Sequence, residues 1–187
     1  MTHTPLVSNV LSVYNAASAD NVREGLSWYL DAHNYANLLS PNNVAMAAGV
    51  IAALSPMMGW DSNKKQAGIA FSRGDAKGLG LSKNCDKANR ILAGENPLDV
   101  LGGDKVRAFY STILDPAGFS IPVIDRHAFD IAVGEVTNEK ARGTLSRKGV
   151  YESFGAVYVD AARIAGIGAP QMQAVTWMEW REMKKRK

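Results

Sequence analysis

Apolar residues recur at helical spacing along nearly the whole chain. Val10, Val13, Tyr14 and Ala17 fall on one face of a 3.6-residue period, and so do Leu26, Tyr29 and Leu30. Ser40-Pro41 reads as a helix start, with Ser40 as N-cap and Pro41 at the first helical position, where its missing N–H costs nothing. The helix so opened carries Val44, Ala47, Ala48, Ile51 and Leu54 on one side and ends before Pro56. Its many Ala and Gly residues leave a smooth surface that neighbours can approach, which predicts a central, buried helix. Further helices are predicted over 61–72, 83–92, 98–101, 105–114, 125–133, 151–164 and 171–187. Glycine and proline punctuate them at 74–80, Gly94, Gly102-Gly103, Pro116, Gly118, Pro122, Gly166, Gly168 and Pro170. Sustained two-residue alternation is missing throughout. The pattern therefore predicts an all-α fold of about eight to ten short helices.

Composition narrows this picture. A length of 187 residues with 47% hydrophobic and 21% charged positions is that of one globular domain, not a disordered chain. The expected organisation is a single helical domain over 1–183 and a basic C-terminal tail over 184–187. Cys85 is the only cysteine, which excludes a disulfide framework and any metal or iron–sulfur site needing several thiolates. No metal or other cofactor is expected. The N-terminal stretch lacks the charged-then-apolar pattern of a secretory signal, and the apolar run at Val44–Leu54 is too short to span a bilayer. A cytoplasmic monomer without a membrane partner is the expectation.

Charge changes the picture by where it sits. The formal net charge is +3, yet Lys184, Lys185, Arg186 and Lys187 supply all of it; the rest holds 17 basic residues against 18 acidic. That excludes a uniformly basic, histone-like protein. Within the chain, residues 60–110 hold nine basic residues against six acidic, whereas residues 1–59 hold Arg23 against Asp20, Glu24 and Asp31. The internal basic excess surrounds the segments with candidate chemistry.

Three such segments occur in order. The first is Leu54-Ser55-Pro56 running into Met57-Met58-Gly59-Trp60, at the end of the apolar helix. The second is Leu101-Gly102-Gly103-Asp104-Lys105-Val106-Arg107, and the third is Pro122-Val123-Ile124-Asp125-Arg126-His127-Ala128-Phe129. Together, over roughly residues 40–134, they resemble the helix-hairpin-helix DNA glycosylases, the superfamily of endonuclease III and the mismatch adenine glycosylases. The closest match is the Asp-x-His segment. The resemblance implies a helical glycosylase fold acting on DNA, with Asp125 as catalytic carboxylate and His127 in the accompanying histidine position. It places Gly102-Gly103 on the DNA-gripping hairpin, Lys105 near the nucleophilic lysine of the lyase-competent members, and Lys87-Ala88 on the Lys-Ala of an earlier helix. The hairpin departs from the usual Gly-x-Gly, and the four-cysteine iron–sulfur loop of some members is absent. A divergent, phage-like member is implied.

The chemistry of these residue types stands beside the resemblance. Breaking an N-glycosidic bond builds positive charge at the sugar C1′, which a nearby carboxylate stabilises or relieves by orienting water. Asp125 suits that role, and equally suits a helix N-cap. Glycines before a helix N-terminus expose amides to a phosphate, so Gly102, Gly103, Arg107 and Lys87 are candidate DNA contacts, as are Arg126 and His127 beside Asp125. Lys105 is a candidate nucleophile, but an activated lysine needs burial or cationic neighbours, and an electrostatic role fits its sequence context better. Met57 and Met58 are candidates for the wedge that fills the gap left by an extruded base. Trp60, Trp177 and Trp180 read as core.

Two other readings remain open. One keeps the fold but changes the reaction to transfer onto an activated hydroxymethyl pyrimidine, as is thought of some phage proteins related to these glycosylases. The other is a non-catalytic DNA-binding module in which Asp125 only caps its helix.

Overall fold

The structure is a computed structural model that describes residues 3–118 and 120–186. Among the described residues there are eleven α-helices, one 3-10 turn and no strand, so the expected all-α class holds. In chain order they are α1 (Val7–Asn15), α2 (Ala19–Leu39), α3 (Val44–Leu54), α4 (Trp60–Arg73), α5 (Ser82–Leu92), α6 (Pro97–Val100), α7 (Asp104–Leu114), α8 (Arg126–Val133), α9 (Glu139–Arg142), the 3-10 turn Gly143–Ser146, α10 (Val150–Ala165) and α11 (Ala169–Lys185). No single helix among the described residues is long and apolar enough to cross a membrane.

The helices gather into two compact units. One comprises residues 1–29 and 117–187, and the other residues 30–116.

In the second unit α3 is the hub, packed against α4, α5, α6 and α7. Every residue from Ala47 to Leu54 is buried, as its small and apolar sequence requires. Its start differs from expectation. Ser40 and Pro41 belong to the turn that ends α2, because proline disfavours helical backbone in the residue before it. The N-cap is Asn43, whose side chain accepts from the Met46 amide at 3.0 Å.

In the first unit α1, α8, α10 and α11 enclose a core of Val10, Val13, Phe129, Ile131, Phe154, Tyr158 and Met172. The rings of Phe129 and Phe154 stack at 4.4 Å. Here too the predicted apolar stripe of α2 is corrected. Leu26 is 38% exposed, while Asn21, Gly25 and Tyr29 face inward, with Leu30 in the other unit 53% exposed. Two partners select that face. Asn21 Nδ2 donates to the buried Glu179 carboxylate at 2.8 Å. At Gly25, a Cβ would come within 2.6 Å of Val175 Cα.

Lys184 and Lys185, the first two residues of the basic C-terminal stretch, lie in helix α11. Lys184 Nζ lies 3.5 Å from Asp130 Oδ2, and Arg186 pairs with Glu182 at 3.0 Å. Lys187 lies outside the described residues.

Candidate functional site

In the first unit, the loop before α8 is held from behind. The Tyr151 hydroxyl accepts from the Ile124 amide at 3.0 Å and donates to the Pro122 carbonyl at 3.3 Å. Val123 and Ile124 are buried, which anchors an extended segment leading to Asp125. Asp125 is the N-cap of α8, and its Oδ1 accepts from the amides of His127 and Ala128, each at 2.8 Å. Both hydrogen bonds fall on one oxygen. Among the described residues nothing is bonded to Oδ2, so the cap occupies only one of the two oxygens.

Two buried phenols of the same unit feel the charge of Asp125. Tyr29 donates to Gln173 Oε1 at 2.7 Å. Its proton is held well above the ordinary range, by burial first and then by the charges of Asp125 and Tyr151. Tyr158 donates to the Ala128 carbonyl at 3.1 Å, and burial likewise raises it well above the ordinary range. Both phenols thus stay neutral.

His127 and Arg126 begin α8. The His127 ring lies edge-on to Trp177 at 6.5 Å, and Arg126 Nε is 3.4 Å from its Nε2. Its Nδ1 is buried without a hydrogen-bond partner. Burial lowers the His127 pKa from its ordinary value; Asp125 opposes this, while Lys184 and Arg126 reinforce it. The imidazole is therefore neutral at neutral pH.

The second unit places the other candidates. Gly103 is the N-cap of α7 with φ of 79°, a left-handed conformation suited to glycine. Arg107 Nε turns back to the Leu101 carbonyl at 2.9 Å, and Lys87 Nζ approaches within 3.7 Å of where a Gly102 side chain would begin. Lys87, Gly102, Gly103 and Arg107 are thus brought to one end of α7. Lys105 lies half-exposed in the first turn of that helix.

Met57 stands out in the turn between α3 and α4. It is 88% exposed, and its φ of 65° is the one left-handed backbone among the described non-glycine residues. Met58 is half-buried, close to Gly80. Trp60, read as core, is half-buried and packs edge-on against Tyr35 and Phe109, at 6.4 and 6.5 Å.

A family model described as a family of unknown function (DUF7178) matches residues 1–184, nearly the full chain. The chain belongs to that family. No curated protein and no solved structure matches it.

This DUF7178 member carries site-supporting residues that the sequence reading missed. Tyr151 fixes the loop before Asp125 from 26 residues further along the chain, a tertiary contact without a local motif. Trp177 was expected in the core but is half-exposed, with the Arg181 guanidinium 4.3 Å over its ring. The signal for that pair was present, since Trp177 and Arg181 stand four apart on a helix. Among the described residues no group of three or more His, Cys, Asp or Glu side chains is arranged to hold a metal ion.

Proposed function

We propose that the protein is a DNA-base-acting enzyme that cleaves the N-glycosidic bond of a modified or mismatched base. The reading rests on Asp125: a carboxylate fixed by two amides through one oxygen, with the other oxygen open, in the segment that resembles the glycosylase Asp-x-His. In the reaction the C1′–N bond breaks with its electron pair leaving on the base, which takes up a proton from solvent water. Asp125 stabilises the positive charge at C1′ and receives a proton from the water that adds there. The His127 backbone amide, not its neutral imidazole, holds Asp125 at the start of α8.

The other unit, taken by itself, carries apolar and basic features suited to DNA. A wedge must be apolar, protruding and held in place, and Met57 is exposed on a left-handed turn directly after the buried helix α3. Lys87, Gly102, Gly103 and Arg107 offer amides and cations to phosphate, and Lys105 adds positive charge.

The test is incubation with duplex oligonucleotides carrying a panel of damaged, mismatched and hydroxymethylated bases, followed by alkali to cut abasic sites. Wild-type protein cuts at one class of base, and Asp125→Asn does not. No abasic product on any substrate overturns the reading; DNA binding without turnover then leaves the non-catalytic module.

A further inference from the structure

The first unit contains a run of two aromatic rings with a guanidinium at each end, and it begins next to Asp125. Arg126 Nε meets His127 Nε2 at 3.4 Å, His127 lies edge-on to Trp177 at 6.5 Å, and Arg181 covers the Trp177 ring at 4.3 Å. Trp28 buttresses Trp177 from another side, ring to ring at 6.5 Å. Both arginines are exposed, and among the described residues neither is paired with a carboxylate. Apart from Asp125 itself, nearby acids are already engaged. Asp130 is fully buried and bonded to Arg142, and Glu179 is 1% exposed and bonded to Asn21 and the Ser18 amide. Glu182 pairs with Arg186.

Unpaired guanidinium groups at both ends of an aromatic run are chemically complementary to a nucleotide strand, whose phosphates are anionic and whose bases have π faces. We infer that Arg126, His127, Trp177 and Arg181 form a binding strip for the DNA strand beside the target nucleotide. Trp177 stacks with a base there, and Arg126 and Arg181 each hold a phosphate. The Arg181 guanidinium keeps the indole face covered in the free protein and moves to the phosphate as the base takes its place. The inference builds on the proposed action on DNA and assigns the residues that read the strand next to Asp125.

The experiment is a titration of fluorescein-labelled single-stranded and duplex oligonucleotides, by anisotropy, at several salt concentrations. It compares wild type with Arg181→Gln, Arg126→Gln and Trp177→Ala, each checked for folding by circular dichroism. Each arginine variant lowers the slope of log K against log salt by about one. Trp177→Ala weakens binding roughly 5- to 150-fold, the effect of one lost base stack; should it not fold, the two arginine variants decide alone. Wild-type affinity and slope in the folded variants overturn the strip, as does wild-type protein that binds neither oligonucleotide. Base release by wild type from the same DNA is scored separately. Release with unaffected variants removes the strip and leaves the catalytic reading, whereas weakened variants without any release do the reverse.

Discussion

Asp125 Oδ1 lies 2.8 Å from the Ala128 amide nitrogen. This bond makes the proposed catalytic carboxylate a structural cap of α8 as well, and the two roles separate by substitution. Asparagine caps as well as aspartate, so Asp125→Asn keeps the melting temperature near wild type while losing activity about 10²- to 10⁴-fold. Asp125→Ala loses the cap too and is destabilised by about 1 kcal/mol. Thermal melts of both variants check the first part, and single-turnover assays the second.

The carboxylate of Asp130, in the same helix, is fully buried and takes two hydrogen bonds from Arg142, at 3.0 and 2.7 Å, and two from Thr137. Burial alone would raise its pKa, but the Arg142 and Thr137 hydrogen bonds outweigh that and hold it below the ordinary value. A carboxylate lowered in the folded state stabilises fully above its unfolded pKa and loses that contribution as pH falls through the folded value. Stability from this group is thus intact at pH 5 and lost below the ordinary value near 3.8. Asp130→Asn leaves Arg142 unpaired and costs about 3–5 kcal/mol at neutral pH. Urea melts at pH 7 and at pH 3 show a smaller difference between variant and wild type at the lower pH.

Gly25 admits α11 against α2 at a distance no side chain allows. A Cβ there would lie 2.6 Å from Val175 Cα, which is backbone and cannot swing aside. Gly25→Ala destabilises by about 1–3 kcal/mol, the usual range for overpacking. Gly143→Ala is the control: its φ is −59° and a Cβ meets nothing within 4 Å, so its melt stays within about 0.5 kcal/mol of wild type.

How much of this was legible beforehand depended on whether the cause was local. Asp125 as a cap, the end of α8 at Val133 and the burial of α3 follow from neighbouring residues and were readable. The burial face of α2 was not, because it is chosen by Glu179 and Val175, some 150 residues away in sequence. Pro41 was ambiguous locally, since proline can begin one helix or end another. At the site, the residue types of the Asp125 segment could be read, but Tyr151 behind the loop and the exposure of Trp177 depend on packing. The short α9 has four residues and too little periodicity to detect.

Met57 supplies a trade between stability and function. Left-handed backbone costs a residue with a Cβ about 1–2 kcal/mol, and glycine adopts it freely. Met57→Gly raises stability by up to about 1 kcal/mol, because glycine also gains entropy when unfolded, yet removes the proposed wedge. Denaturant melts rise slightly, and base extrusion, followed with 2-aminopurine opposite the target, falls. Equal extrusion by variant and wild type contradicts the wedge role.

The most direct measurement is the mass spectrum of what leaves and what remains after reaction. DNA carrying the responsive base is incubated with wild type and with Asp125→Asn, and the free-base fraction and the digested nucleosides are weighed separately. Glycosidic cleavage gives a free base in the supernatant and a matching loss of that nucleoside, both dependent on Asp125. An intact glycosidic bond with a heavier base in the digest, or release that persists in Asp125→Asn, contradicts it.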